Sequence, residues 1–209
     1  MTLSSKDHWN KKYTDTPNTQ LGWYESKSMP SIRLIENCAV SKDAAIIDIG
    51  SGVSSLIASL LELGYQNLYA MDISEVALEK ARSMLNDEQA NHVHWIVDDI
   101  TNPSNVPQLQ HVEIWHDRAV FHFLTEEQDR QTYHSLLQRI VMPGGFVIMA
   151  AFAINGAAMC SGLPVQRHSA ESLSEFLGDA FKLIESLDYT YQMPSGDLRP
   201  YVYTRFEKI

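Results

Sequence analysis

The sequence predicts an α/β fold in which a mostly parallel sheet is covered by helices on both faces. Three observations carry that expectation. Apolar runs of strand length alternate with stretches whose apolar residues recur at helical spacing. The run Ile46-Ile47-Asp48-Ile49 stops at Gly50 and Gly52 and then turns helical. A length of 209 residues with 44% hydrophobic content suits one large domain, and is too short for a nucleotide-binding domain plus a full second domain.

Residues 1–30 are rich in aromatic and polar side chains, with His8, Trp9, Tyr13, Trp23 and Tyr24 punctuated by Pro17, Gly22 and Pro30. They hold too few aliphatics for a core of their own, so this arm is expected to lie across the main domain, residues 31–209. Ile32, Leu34, Ile35 and Cys38 give a short helix leading into the first strand. That strand, from Ala44 through Ile47, shows no alternation, as expected where both faces are buried. Leu56, Leu60 and Leu63 then share one helix face, and Gly64 sits where a C-terminal cap belongs. Between strand and helix, Gly50 and Gly52 permit a sharp turn and close approach of a ligand to main-chain N–H groups, at the positive end of the new helix.

The second strand, from Asn67, ends at Asp72, and Ser74 caps a helix with Ala77, Leu78, Ala81, Met84 and Leu85 on one face. A carboxylate at that strand end can accept hydrogen bonds from ribose hydroxyls. The third strand, His94–Val97, finishes at Asp98-Asp99-Ile100, and the fourth begins at Val112 and leads through His116 and Asp117 into a loop ending near Leu124. Thr125 and Gln128 read as a capping box opening a helix that turns Tyr133, Leu136, Leu137 and Ile140 inward. Met142-Pro143-Gly144-Gly145 stops that helix and starts the fifth strand, Phe146–Phe152. Residues 153–168 form a loop too long for a simple connector. Ser169 opens a short helix with Leu173, Phe176 and Leu177 that Gly178 closes, and the runs Phe181–Gln192 and Pro200–Phe206 form a hairpin about Pro194-Ser195-Gly196.

With 26 acidic residues against 16 Lys and Arg, the formal charge is −10, which argues against a nucleic-acid or anionic-membrane partner. Cys38 and Cys160 have no CxxC partner and no histidine at ligand spacing, so neither a metal site nor a disulfide framework is expected. The N-terminus lacks the apolar stretch of a signal peptide, and no run reaches membrane-spanning length. A cytoplasmic protein with reduced thiols is the expectation.

The dinucleotide fingerprint requires a third glycine where this chain has Ser55, which makes an NAD-dependent oxidoreductase the weaker reading. Asp48-x-Gly50-x-Gly52, Asp72, Asp99 and Pro143-Gly144-Gly145 each fall at the end or start of an expected strand. In that order they resemble the class I S-adenosylmethionine (SAM) methyltransferases, from about residue 31 to the end, and the segments His116–Thr125 and Cys160–Val165 are similar to a branch of small members. The resemblance implies a Rossmann-like, doubly wound, seven-stranded sheet with a C-terminal antiparallel hairpin, and S-adenosyl-L-methionine as cofactor. It also implies that Asp48, Gly50, Ser51 and Gly52 form the cofactor loop, that Asp72 and Ile73 hold the ribose, and that Asp99 takes the adenine amino group with Ile100 on the ring. Asp117, ending strand four, would touch the cofactor, and the arm would act as a lid bringing Trp9 and Tyr13 to the cofactor and Trp23 to the substrate. Ser54 stands where the family often has glycine, and a serine there can still bond the cofactor carboxylate or cap its helix.

Methyl transfer is a displacement that needs alignment, exclusion of water and, for a protonated nucleophile, removal of a proton. The candidate acid–base groups are Asp117, His116 and His122, with His168 from the long loop, where Arg167 would hold a substrate carboxylate. The expected reaction is methylation of a small-molecule nucleophile. Methylation of a protein lysine is the alternative, followed by SAM binding without catalysis. Methylation of nucleic acid is disfavoured, because residues 114–118 read Ile-Trp-His-Asp-Arg rather than Asn/Asp-Pro-Pro-Tyr and no Pro-Cys pair occurs.

Overall fold

The computed structural model describes residues 4–209, so residues 1–3 of the expected arm lie outside the described residues. The arm opens with helix α1 (Ser5–Asp15), whose N-cap Ser4 accepts from Asp7 N, and continues through a single 3₁₀ turn at Asn18–Gln20. Helix α2 (Met29–Glu36) starts with Pro30 in its first turn and buries Ile32, Leu34 and Ile35. The division placed at residue 30 therefore falls inside α2.

Strand β1 (Ala45–Ile49), buried along its whole length, leads through the glycine loop to α3 (Leu56–Glu62). Next come β2 (Asn67–Asp72) and α4 (Glu75–Ser83), capped as expected by Ser74, which accepts from Ala77 N. A short α5 (Asp87–Asn91), with a capping box between Asn86 and Gln89, precedes β3 (Val93–Val97). The remaining elements are β4 (Val112–Arg118), α6 (Glu127–Ile140), β5 (Val141–Phe152), β6 (Met159–Cys160), β7 (Leu163–Pro164), α7 (Ala170–Leu177), β8 (Phe181–Gln192) and β9 (Leu198–Lys208).

Seven strands form one sheet in the order β3-β2-β1-β4-β5-β9-β8. The pairs from β3 to β5 are parallel, and β9 pairs antiparallel with both β5 and β8, which is the expected Rossmann-like sheet with a C-terminal hairpin. The strand order reverses between β1 and β4, the place where open α/β sheets leave a crevice at their carboxyl ends. Because β residues alternate faces, Ile47, Ile49, Trp115 and Met149 join a core with α6 and α7, while Ile46, Ile114 and Ile148 join a second with α2 and α3. A third, smaller cluster packs Tyr13 and Leu21 of the arm on Val53 and Ala77. Among the described residues no helix is long and apolar enough to cross a membrane.

Three local expectations are corrected. Helix α6 has Glu126 as its N-cap with no side-chain bond, because Thr125 N is already committed to Phe123 O in the preceding turn. Pro143-Gly144-Gly145 does not precede β5 but lies within it, as a bulge where the pairing jumps from Val112↔Val141 to Ile114↔Phe146 and Gly144 takes φ 76°. The 153–168 loop carries its own small hairpin, β6 with β7.

Candidate active site

A cavity of about 360 Å³ opens at the carboxyl ends of the parallel strands. Gly50, Asp72, Asp99 and Ile100 line it from the ends of β1 to β3, Arg118 to Val120 from the end of β4 and the turn after it, and Trp9, Tyr13 and Trp23 from the arm. Ile73 lines it as well, and Cys160, Leu163 and Pro164 bring in the β6–β7 hairpin. The arm's rings meet edge to face. Trp9 lies 5.2 Å from Phe123 at 75° and 5.7 Å from Trp23 at 75°, and Tyr13 lies 5.8 Å from Trp23 at 79°.

The glycine loop is built differently from the sequence expectation. Its N–H groups are spent internally, Ser51 N on Met71 O at 2.8 Å and Gly52 N on Asp72 Oδ2 at 2.8 Å. Tyr13 covers Gly52, its hydroxyl 2.5 Å from where a Cβ would stand. Gly50 alone of the loop residues faces the cavity, and a Cβ there would sit 2.0 Å from Val120 Cγ2. Ser51 and Gly52 thus shape the loop from behind.

Asp72 accepts from Gly52 N and from Ser74 N, both at 2.8 Å, one bond on each oxygen. A carboxylate has about four acceptor positions, so Asp72, which lines the cavity, keeps acceptor capacity beyond these two bonds. Burial pushes its pKa up to about 6 against the pull of those backbone N–H groups. The neighbouring pair of carboxylates divides its labour. Asp98 is buried and binds the amides of Ser104, Asn105 and Val106, folding the turn after β3, whereas Asp99 holds only Thr101.

Asp48, His116, His122, Asp117 and Arg167 do not line the cavity. Asp48 and His116 face each other across β1 and β4, where His116 Nδ1 bonds Asp48 Oδ1 at 2.7 Å and Nε2 bonds Ser31 Oγ at 2.8 Å. Both ring nitrogens are satisfied, and the pair ties α2 to the sheet. His122 is fully buried between Phe123 and Phe152, and burial holds its pKa down at about 3. Asp117 is fully buried, accepts from Val120 N, Phe121 N and the Tyr133 hydroxyl, and has its pKa pushed up by burial to about 6. These bonds fold the segment whose Val120 lines the cavity wall. Arg167 is exposed, and the long loop reaches the cavity through its hairpin instead.

The sequence reading passed over Arg118. Its Nε donates to the Tyr203 hydroxyl at 3.0 Å, and its Nη1 donates to Trp23 O at 3.2 Å. Nε also lies 3.3 Å from Glu25 Oε2. Burial disfavours its charge, but Tyr203, Tyr201 and Glu25 outweigh that and push the pKa up. Asp129, on the first turn of α6, lines the cavity with no hydrogen bond or ion pair among the described residues.

The residues fit an adenosine-bearing cofactor: a strand-end carboxylate with spare acceptor positions, an apolar shelf at Ile100 beside Asp99, and a glycine where the wall admits no Cβ.

Comparison with known proteins agrees. Residues 46–145 match the family model described as a methyltransferase domain. EEF1A lysine methyltransferase 2 of Danio rerio is 28% identical over 162 residues, covering 71% of this chain and 69% of its own. The Homo sapiens protein of that name is 25% identical over 201 residues, covering 88% and 77%. A SAM-dependent methyltransferase of Anabaena variabilis superposes with a TM-score of 0.76 at 13% identity, over 100% of this chain and 96% of that one, which shows a shared fold.

Proposed function

The chain is a class I SAM-dependent methyltransferase, and on that premise we propose that its acceptor is the side-chain amine of a protein lysine. The observation that carries this reading is the make-up of the cavity wall. Trp9 meets both Trp23 and Phe123 at 75°, so three aromatic rings, whose faces attract cations, line one cavity, and Asp129 offers a carboxylate engaged by nothing else among the described residues. An ammonium is attracted to such a wall, and surrendering its proton beside a carboxylate makes it a nucleophile. The likeness to lysine methyltransferases over most of the chain supports the same acceptor, and a charge of −10 suits a basic partner surface.

SAM, when bound, supplies an electrophilic methyl group on a sulfonium. The chain's residues do the rest: Asp72 accepts from the ribose hydroxyls, Asp99 and Ile100 receive the adenine, and Trp9, Tyr13 and Trp23 exclude water. In this reading residues 1–30 serve as a lid. A small-molecule acceptor is the second reading, favoured by the arm's placement over the cavity, which suits a guest that can be enclosed. Methyl-labelled SAM, incubated separately with translation elongation factor 1A, with a cell protein extract and with a metabolite extract, tests both. Label on lysine side chains is the expected result. Label confined to the metabolite fraction would overturn the lysine reading in favour of the second.

A further inference from the structure

We infer that Arg118 is a positioning residue that fastens the Trp23–Glu25 segment of the arm to the sheet and thereby sets Trp23 as a wall of the cavity. The inference rests on reading that cavity as the cofactor site. Arg118 ends β4, and the chain turns away immediately after it through Ala119, held at φ 68°.

Each of the three arm residues is secured by this cluster. Trp23 offers its carbonyl to Arg118 Nη1 at 3.2 Å, the Tyr24 carbonyl accepts from the Tyr191 hydroxyl, and the Glu25 carboxylate lies 3.3 Å from Arg118 Nε. The guanidinium is packed against the rings of Tyr191 and Tyr201, at 5.3 and 5.2 Å, and Nε donates to the Tyr203 hydroxyl. Side-chain exposure is 10% for Arg118 and 7% for Glu25, so the pair is shielded from solvent. A planar fork of five donors can meet a phenol, a carbonyl and a carboxylate together, whereas a lysine, with one nitrogen, cannot keep all three.

The segment needs such fastening because it separates two spaces. Trp23 faces the cavity, while Tyr24, Glu25 and Lys27 face an open groove of about 480 Å³ bounded by Tyr189–Pro194. Arg118 Nη2 and Glu25 Oε2 are buried without hydrogen-bond partners, so charge and packing hold the pair rather than a closed bidentate clasp.

The test combines S-adenosylhomocysteine calorimetry with ligand-free hydrogen exchange, on the wild type, Arg118→Lys, Trp23→Ala and the double variant. Arg118→Lys is expected to raise exchange across residues 21–26 with the sheet unchanged, and to weaken the ligand about tenfold. Trp23→Ala should weaken it similarly, and the double variant should be no worse than the weaker single one. Unchanged exchange at 21–26, or losses that multiply in the double variant, would overturn the inference. Should Arg118→Lys not fold, Glu25→Gln must raise exchange in the same segment, and unchanged exchange there would be equally decisive. Wild-type affinity for S-adenosylhomocysteine reports on the cofactor-site reading separately, since the exchange arm needs no ligand.

Discussion

Replacing Asp72 by asparagine separates what its carboxylate does for the fold from the ribose contact proposed for it. In the fold it accepts one backbone N–H on each oxygen, from Ser74 and Gly52, both at 2.8 Å. Asparagine keeps one acceptor and presents an N–H to the other donor, a loss of about 1.5–3 kcal/mol for a bond to a charged group. Against this stands the cost of burying the charge. The pKa rises from 3.8 to about 6, so the native state holds the proton more tightly than the unfolded chain does. The associated stability is fully present below 3.8 and lost as pH rises through about 6, leaving a penalty of about 3 kcal/mol at neutral pH that asparagine removes. That penalty is already net of the pull of the two N–H groups, so asparagine should not cost the fold, and Asp72→Asn should melt at or up to roughly 6 °C above wild type at pH 7.5. Its affinity for S-adenosylhomocysteine should fall at least about tenfold, because the two remaining acceptor positions no longer carry a charge. Asp72→Ala, by contrast, orphans two buried N–H groups at about 1–3 kcal/mol each and should lose both fold and ligand. Calorimetry beside thermal melts reads both quantities. A ligand affinity within threefold of wild type, with the fold intact, would refute the assignment of Asp72 to the ribose.

Further outcomes follow from the same geometry. Gly50→Ala must place a Cβ 2.0 Å from Val120 Cγ2 at φ 62°, so it should lose at least about 2 kcal/mol in a denaturant melt; adding Val120→Ala should relieve the clash but not the backbone strain of about 1–2 kcal/mol. Asp98→Asn should mainly lower the melting temperature, since Asp98 holds three amides of its turn, whereas Asp99→Asn should mainly lower ligand affinity measured by calorimetry. His122 stays neutral in the fold, with its pKa lowered from 6.5 to about 3, while the unfolded chain takes up a proton below 6.5. Stability therefore falls by about 1.4 kcal/mol per pH unit below 6.5 from this group, and His122→Phe should flatten the stability curve between pH 6 and about pH 4. Arg167→Ala, at an exposed position off the cavity, should leave ligand affinity unchanged by calorimetry.

What the sequence made legible, and what it hid, divides along one physical line. Strand ends and helix caps are local events. The stop at Gly50, the carboxylate Asp72 ending β2, the Ser74 cap and the Ser169 cap each follow from a few neighbouring residues, and all stand where local chemistry puts them. Which face a side chain presents, and what meets it there, depends on partners far away in the chain. His116 and Asp117 are adjacent, reactive in type and near the carboxyl end of β4, yet they point to opposite faces of the sheet. There Asp48 with Ser31 satisfies the one, and Tyr133 with the Val120 and Phe121 amides satisfies the other. One residue further along, Arg118 returns to the face of His116, but beyond the cover of α2, where only the arm and the C-terminal hairpin remain to meet its charge. An arginine at that register has a buried cation's need for partners, and Glu25, Trp23 and Tyr203 supply them from 93, 95 and 85 residues away in sequence. The same argument accounts for the glycine loop. Its spacing announces a turn, but only the arm, folding back to lay the Tyr13 hydroxyl over Gly52, decides which of the loop's residues a ligand can touch.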